Sequence, residues 1–207
     1  MITLNDGYRD VLDSISSSAP TPGGGSVAGL TLAHAHALTI MVARLTVKSE
    51  KWISGHDIAN EIIESGDANL GFSIRLAQND ALAFDEVMNA YRLPKDTDAT
   101  TKKKAITEAT IGAASAPLEI LDYACNLLIT ISTLVPNCNV NALTDLASAS
   151  ELALASAKIA AYNVKINTQY LEGDAKSDLE EKCVHKLNQC NNTIIEINSI
   201  FTNRLGW

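Results

Sequence analysis

Apolar residues recur at intervals of three and four along most of the chain, the spacing that places side chains on one face of an α-helix. The clearest stripe lies near the end and comprises Leu179, Cys183, Leu187, Cys190, Ile194, Ile197 and Phe201. No stretch of useful length alternates between apolar and polar residues, so no strand is predicted. The pattern predicts an all-α fold, an antiparallel bundle of about six helices.

Breaks in this periodicity define the predicted helices. Ser26 follows a glycine run and is predicted to be the N-cap of the second helix. Gly66 and Gly71 predict a bend in the third helix, and Pro117 predicts a kink or a division in the fourth. The predicted helices are a short first one carrying Ile2 or Leu4, Tyr8, Val11 or Leu12, and Ile15, then 26–47, 56–92, 98–134, 142–171 and 177–205.

Composition refines this picture. The 207 residues contain no compositional shift or linker, so residues 1–207 are predicted to form a single domain. Apolar residues make up 46% of the chain but aromatic residues only 5%, and many of the remainder are alanines. Small side chains let helices approach closely, and the Ala- and Ser-rich fifth helix is predicted to be buried on nearly every side.

The charge and the remaining composition exclude several classes of protein. A net charge of −8 argues against nucleic-acid binding, because phosphate backbones are held by clustered Lys and Arg. The segment 27–47 is long enough to span a membrane but contains His34, His36 and Arg44, so a buried core helix is predicted and no membrane partner. The first 18 residues lack the pattern of a signal peptide, and the four cysteines lack metal-site spacing, which indicates reduced thiols and a cytoplasmic protein.

A loop rich in proline and glycine, residues 16–25, precedes the second helix. Gly23, Gly24, Gly25 and Ser26 could cradle an anion with free backbone N–H groups, although a plain tight turn is an equal alternative. The lysine and the preceding strand of a nucleotide-binding P-loop are both absent from the sequence, so nucleotide hydrolysis is disfavoured.

Three ionisable residues on predicted helices could carry chemistry. Asp80 lies between Leu76 and Phe84 at four-residue spacing, so it is predicted on the inward face, where a carboxylate needs a partner or a purpose. The alternative is a purely structural role for Asp80, in a buried ion pair or in a bond to a neighbouring helix end. His34 and His36 are two residues apart and point to different sides of a helix, so core histidines are favoured over a metal site, and no metal is predicted.

Several segments in order along the chain resemble one known family. They are Ser-Ala-Pro-Thr-Pro-Gly-Gly-Gly-Ser at 18–26, and the segments 41–46, 79–84, 90–95, 117–118, 139–145 and 163–167. The chain resembles the cyclodeaminase domain of formiminotransferase-cyclodeaminase and the related stand-alone methenyltetrahydrofolate cyclohydrolases. The resemblance spans almost the whole chain.

The resemblance implies an all-helical homodimer with a folate site near the glycine loop. It implies a tetrahydrofolate derivative as substrate and no tightly bound cofactor. Asp80 is then the predicted acid/base or charge-stabilising group, and residues predicted to bind the substrate are Gly23, Gly24, Gly25, Ser26, Asn141 and Asp145, with Lys48 and Lys51 at the glutamate tail.

Three functions remain open from the sequence. Hydrolysis of 5,10-methenyltetrahydrofolate to 10-formyltetrahydrofolate is favoured over release of ammonia from formimidoyltetrahydrofolate, because no formiminotransferase domain is present in this sequence. A folate-binding protein without turnover is the second class. A helical assembly module, using the apolar stripe of the last helix, is the third.

Overall fold

The computed structural model describes residues 7–206, and the predicted contributions of Ile2 and Leu4 lie outside that range. Six α-helices and no strand occur within it, which confirms the all-α prediction. The helices are α1 (Tyr8–Ile15), α2 (Gly24–Val47), α3 (His56–Tyr91), α4 (Ala99–Leu134), α5 (Leu143–Thr168) and α6 (Asp174–Leu205), with short 3-10 turns at Glu50–Gly55 and Val140–Ala142.

Two local predictions are corrected. Ser26 is not the N-cap of α2, because the helix begins earlier: the extended backbone of Gly23 (φ −113°, ψ −156°) is the cap, and Ser26 lies buried in the first turn. Of the two outcomes predicted for Pro117, a kink or a division of α4, the division does not occur, since α4 continues as one helix from Ala99 to Leu134.

Two predictions about burial, those for α6 and for the fifth helix, hold only in part. The stripe of α6 is buried as predicted, with Leu187 partly exposed. The fifth helix, in contrast, exposes one stripe that includes Glu151, Lys158 and Tyr162, because polar and large residues recur there at helical spacing. All four cysteines are buried free thiols, in agreement with the predicted reduced state.

Consecutive long helices run antiparallel, which places the ends of α2 to α6 at two ends of the bundle. Gly24 of α2 lies beside Asn163 of α5. The Thr168 hydroxyl of α5 donates a 2.9 Å hydrogen bond to the Glu180 carboxylate of α6. We call the end where α2, α4 and α6 begin and α3 and α5 end the site end. The opposite end, where α2 stops at Val47, is the far end, about 35 Å away by helical rise.

Small residues bring α2 close to its neighbours. A Cβ added to Gly29 would lie 2.7 Å from the backbone nitrogen of Ala77, so α2 and α3 touch through their backbones. On the other side, the Ser156 hydroxyl of α5 donates a 2.8 Å hydrogen bond to the Ala28 carbonyl. The alanine-rich composition therefore acts as predicted, by shortening the distance between helices.

Helices α2 and α4 are each long and apolar enough to cross a membrane by length and composition. In the bundle, 61% of the apolar window of α2 and 50% of that of α4 are buried against other helices. Most of the buried apolar residues of both helices belong to one hydrophobic core that α2 to α6 share.

Helix α1 lies apart from this core. Its amphipathic pattern is confirmed as a helix, but none of its residues is buried, and Tyr8 and Leu12 remain 47% and 45% exposed. The ring of Tyr8 contacts the ring of His34 on α2 edge-on, with 6.0 Å between centroids.

Candidate active site

A cavity of about 500 Å³ opens at the site end, between the glycine loop and helices α3, α4 and α5. Asp80 is the one lining residue with a formal charge at neutral pH. The lining residues are Pro20, Thr21, Gly23, Gly24, Gly25, Asp80, Phe84, Val87, Tyr91, Thr110, Ala113, Asn163, Ile166, Asn167 and Tyr170.

The glycine loop is shaped to receive the Asp80 carboxylate. A Cβ added to Gly25 would lie 2.1 Å from Asp80 Oδ1, so no other residue type fits at that position without displacing the carboxylate. The Ser26 hydroxyl donates a 3.2 Å hydrogen bond to Asp80 Oδ2. Glycine at position 25 is therefore required by close approach, and Asp80 is held against the start of α2.

Burial and hydrogen bonding act on the Asp80 carboxyl in opposite directions. Desolvation in the half-buried cavity raises its pKa, because the charged form loses contact with water. The hydroxyl and the backbone N–H of Ser26 lower the pKa again, since both stabilise the carboxylate. The net direction is upward, which brings the group closer to a protonation change near neutral pH.

Two asparagines one helical turn apart on α5 form the wall facing the glycine loop. Asn163 Nδ2 donates to the Ile159 carbonyl at 2.9 Å, and Asn167 Nδ2 donates to the Ala113 carbonyl at 2.7 Å. Neither Oδ1 atom accepts a hydrogen bond from residues 7–206. The cavity thus contains two amide oxygens able to accept hydrogen bonds from a ligand.

The outer part of the cavity is apolar and aromatic. Tyr91 and Tyr170 are 52% and 71% exposed at its rim, and Phe84, Val87 and Ile166 lie along its sides. Exposed aromatic rings beside a polar floor suit a flat ring system that carries hydrogen-bonding groups.

The structure separates the predicted site residues into two groups. Gly23, Gly24, Gly25 and Asp80 line the cavity, with Ser26 directly behind the carboxylate. The other four lie at the far end: Lys48 and Lys51 follow the last turn of α2, and Asn141 and Asp145 adjoin the start of α5. Within one chain, these four residues are about 35 Å along α2 from the glycine loop.

Sequence reasoning gave no role to several residues that line the cavity, including Thr110, Asn163, Asn167 and Tyr170. A signal existed for the asparagines, whose spacing of four residues on α5 places both amides on one face. Thr110 and Tyr170 carried no comparable signal, because their approach to the cavity depends on how the helices pack.

The prediction that His34 and His36 are core histidines is correct for His36 and wrong for His34. His34 is exposed rather than in the core, and its Nδ1 lies 2.7 Å from the Leu30 carbonyl. His36 is buried as predicted, but its Nε2 atom has no hydrogen-bond partner among residues 7–206. Burial lowers the pKa of His36 to about 4, so its imidazole is neutral at physiological pH. Over the same residues, no group of three or more His, Cys, Asp or Glu side chains could hold a metal ion.

Comparison with known proteins agrees with this geometry. A model of the formiminotransferase-cyclodeaminase family matches residues 7–185. The chain belongs to this family. The methenyltetrahydrofolate cyclohydrolase of Methylorubrum extorquens is 33% identical to it over 174 residues, which cover 83% of each chain.

Two further relatives place the family match in context. The formimidoyltransferase-cyclodeaminase of Mus musculus is 27% identical over 187 residues, which are 89% of this chain but 34% of that protein, so the chain spans about a third of this relative. The crystal structure of formiminotetrahydrofolate cyclodeaminase from Thermotoga maritima matches with a TM-score of 0.87 and 24% identity, over 97% of both chains. The family fold therefore extends over nearly the whole chain.

Proposed function

We propose that this member of the formiminotransferase-cyclodeaminase family hydrolyses 5,10-methenyltetrahydrofolate to 10-formyltetrahydrofolate. The observation that carries the proposal is the Asp80 carboxylate, held by Ser26 against Gly25 in a cavity that no other charged side chain of residues 7–206 lines. The relative of similar length, with 83% of each chain aligned, is named a methenyltetrahydrofolate cyclohydrolase.

The reaction requires two proton transfers at Asp80, first to its carboxylate and then from its carboxyl group. Water attacks the amidinium carbon between N5 and N10, and the Asp80 carboxylate accepts a proton from that water. The bond from this carbon to N5 then breaks and the proton on Asp80 passes to N5. The remaining hydroxyl proton is released to solvent as the C=O bond forms, and the carbon stays on N10 as a formyl group. A single carboxyl with a raised pKa serves both steps, and its negative charge stabilises the cationic substrate beforehand.

The rest of the cavity suits the substrate by its chemistry. The pterin ring carries N–H donors, which the free oxygens of Asn163 and Asn167 could accept. Phe84 and Tyr91 offer faces for the aminobenzoyl ring. No step needs a tightly bound cofactor, because water is the only other reactant.

Release of ammonia from formimidoyltetrahydrofolate is the second candidate, favoured by the same raised pKa of Asp80. In that reaction N10 attacks the formimidoyl carbon and its proton passes to the formimidoyl nitrogen. The protonated carboxyl donates a second proton to that nitrogen, and ammonia leaves as its bond to the carbon breaks. The formimidoyltransferase-cyclodeaminase of Mus musculus includes a second large region, since the aligned part is 34% of its length, whereas the cyclodeaminase structure from Thermotoga maritima matches over 97% of both chains.

The test follows the methenyl chromophore with purified protein and, in parallel, measures ammonia from formimidoyltetrahydrofolate. Asp80→Asn is expected to lower the rate by about 10² to 10⁴, the usual contribution of acid–base catalysis. Chromophore loss no faster than the spontaneous rate in wild type would reject the cyclohydrolase, and ammonia release alone would establish the second candidate.

The folded state of Asp80→Asn provides the control. Because the pKa of Asp80 is raised, the folded protein holds this proton to higher pH than the unfolded chain. The associated stability is present at low pH and is lost as the pH rises through the folded pKa. An amide has no such loss, so Asp80→Asn should unfold no more readily than wild type at pH 7 to 8.

We also infer that the chain works as a homodimer through α1 and the outer face of α2. Support comes from the exposed apolar side chains of Tyr8, Val11 and Leu12, and from Met41 on α2, which is 36% exposed. A second copy of the chain would cover them. Sedimentation of wild type should give the mass of two chains, and Leu12→Glu with Met41→Glu should give one; a monomeric wild type would reject the inference.

A further inference from the structure

A second cavity, of about 330 Å³, lies between α2, α3 and α4, away from the candidate active site. His36 lines it from α2, ten positions after Ser26, and Asn69 lines it from α3, eleven positions before Asp80. By helical rise the two cavities are therefore about 15 Å apart along the bundle. Among residues 7–206 no lining residue is common to both, so the second cavity is separate from the candidate active site.

The His36 side chain brings to this cavity a polar group that the fold does not satisfy. The residue is 8% exposed, and its Nε2 atom has no hydrogen-bond partner among residues 7–206. Such an atom costs stability unless something bonds to it. Because burial lowers the pKa of His36 to about 4, the ring is neutral at physiological pH, and one of its two nitrogens is an acceptor. The imidazole therefore adds an acceptor and no positive charge to the cavity wall.

Three hydroxyl side chains of the lining are already used as donors. Thr39, Ser65 and Thr130 each donate to the carbonyl four residues earlier in the same helix, at 2.9, 2.9 and 3.0 Å. A hydroxyl has one hydrogen, so each of these oxygens can only accept a further hydrogen bond. The lining thus has three more acceptors that need a donor from a ligand.

Glu61 is the one lining residue of this cavity with a formal charge at neutral pH. Its carboxylate forms no ion pair with any of residues 7–206. The arginines of α2 and α3 contact other groups: Arg44 lies 4.0 Å from Asp67, and the Arg75 guanidinium lies 5.1 Å from the centre of the Phe72 ring. The negative charge at the cavity is therefore not neutralised by the arginines of the two helices.

The remaining walls are apolar and include one aromatic ring. Three isoleucines and Leu127 line the cavity beside Tyr123. The ring of Tyr123 packs on Phe72 with 4.5 Å between the centroids, which fixes its position. An aromatic ring attracts a nitrogen cation over its face, so Tyr123 favours the same ligand charge as Glu61. A ligand that suits these walls has a cationic head and a short hydrocarbon part.

We propose that this cavity binds a small organic cation, whose protonated amine or amidine group lies between Glu61 and the His36 imidazole. A volume of about 330 Å³ is at the lower end of the range for ligand cavities, so the ligand is small. A nitrogen cation carries several N–H donors, which match the carboxylate, the imidazole nitrogen and the hydroxyl oxygens. An anion would be repelled by Glu61 and would meet no cationic side chain of residues 7–206 in the lining. Binding here does not require hydrolysis at Asp80.

The experiment titrates the protein with two cations, pentanamidinium and butylammonium. Pentanamide and pentanoate serve as neutral and anionic probes of nearly the same shape as pentanamidinium. Calorimetry gives the dissociation constants, and the imidazole signals in NMR spectra locate binding, with the His36 signal assigned by its loss in His36→Gln. We expect either cation to bind with a dissociation constant of about 1 mM and to shift the His36 signal. Pentanamide and pentanoate should bind about tenfold more weakly or not at all.

Two single-charge variants on α3 provide the matched comparison. Glu61→Gln keeps the size of the side chain but removes the charge at the cavity, so it should raise the dissociation constants of both cations about tenfold. Glu64→Gln removes the same charge from an exposed residue that does not line the cavity, and at physiological salt it should leave them unchanged. Because a cation could also meet Asp80, the titrations are repeated in Asp80→Asn, where the shift of the His36 signal should persist.

His36→Leu distinguishes a ligand site from a structural histidine. Leucine removes the unpartnered nitrogen and keeps an apolar side chain in the core, so the variant should unfold at a temperature no lower than wild type. Its affinity for both cations should nevertheless fall, because the acceptor is lost. Any of four results would overturn the proposal: no binding of either cation to wild type, equal binding of pentanoate and pentanamidinium, equal dissociation constants in Glu61→Gln and Glu64→Gln, or full affinity in His36→Leu.

Discussion

At the far end of the bundle, polar side chains donate hydrogen bonds to backbone carbonyls at the helix ends. At the site end, polar side chains keep acceptor atoms that have no partner among residues 7–206. Arg204 donates to the Val135 carbonyl at 2.5 Å and to the Cys138 carbonyl at 2.8 Å, closing the end of α4. Asn139 likewise donates from Nδ2 to the Leu45 carbonyl of α2 at 3.2 Å. These hydrogen bonds satisfy carbonyls that have no partner within their own helix.

The site end has the same helices but a different arrangement of donors and acceptors. Asn163 and Asn167 line the cavity and each donate one N–H to a backbone carbonyl, while their amide oxygens accept no hydrogen bond from residues 7–206. Among the described residues, only Ser26 donates to the Asp80 carboxylate, which remains half-buried. Acceptors without a hydrogen bond and a carboxyl with a raised pKa lower the stability of the folded protein, but both can interact with a bound ligand. The difference predicts that changes at the site end reduce activity and changes at the far end reduce stability.

The largest expected effect follows from Gly25→Ala. The new methyl group would occupy the position of the Asp80 carboxylate, 2.1 Å from Oδ1, so the carboxylate must move. A displacement of this size is expected to lower kcat/KM by about 10² or more. The measurement is the initial rate of methenyl hydrolysis, with circular dichroism to verify the fold.

Gly112→Ala is the matched control for this change. Gly112 also lies inside a helix, but a Cβ there meets nothing within 4 Å. Alanine should therefore stabilise the protein by up to about 1 kcal/mol through helix propensity, with activity retained. If both alanine variants retained full activity, the close approach of Gly25 to Asp80 would have no part in catalysis.

At the far end, Arg204→Ala should lower the free energy of unfolding by about 2 to 3 kcal/mol, because it leaves two carbonyls without a charged donor. Urea titration measures this change, and kcat at a temperature where the variant is folded should equal that of wild type. Lys182→Ala removes an exposed pair with Asp178 and should change stability by no more than about 0.5 kcal/mol. A loss of turnover in folded Arg204→Ala would contradict the division between the two ends.

The sequence predicted the helices well because their apolar residues recur at the helical period over long segments. The stripe of α6 and the bounds of α3 and α4 follow from that period and from the flanking prolines and glycines. The start of α2 was placed too late, since a run of glycines permits either loop or helix and the decision comes from packing. A Cβ at Gly25 would meet the Asp80 carboxylate, so packing against α3 requires glycine in this first turn of α2.

The site could be predicted only in part, for a similar reason. Asp80 was identifiable from its position on an apolar face, and the glycine loop from its composition. Thr110 and Tyr170 reach the same cavity from helices far apart in sequence, and no local pattern indicates that approach. The four residues at the far end were chosen by resemblance of segments, which does not give their distance from Asp80 within one chain.

The smallest expected effect is also the most specific, because it concerns one hydrogen bond. The Ser26 hydroxyl lowers the pKa of Asp80 by stabilising the carboxylate, so Ser26→Ala should raise that pKa further. If the carboxylate is the form that accepts the proton from water, the acid limb of the profile of kcat/KM against pH should move to higher pH. At pH 7 the rate should fall by about tenfold at most, since one such bond contributes about 1.5 kcal/mol. A limb that moved to lower pH, or did not move, would show that Asp80 is not the group that titrates.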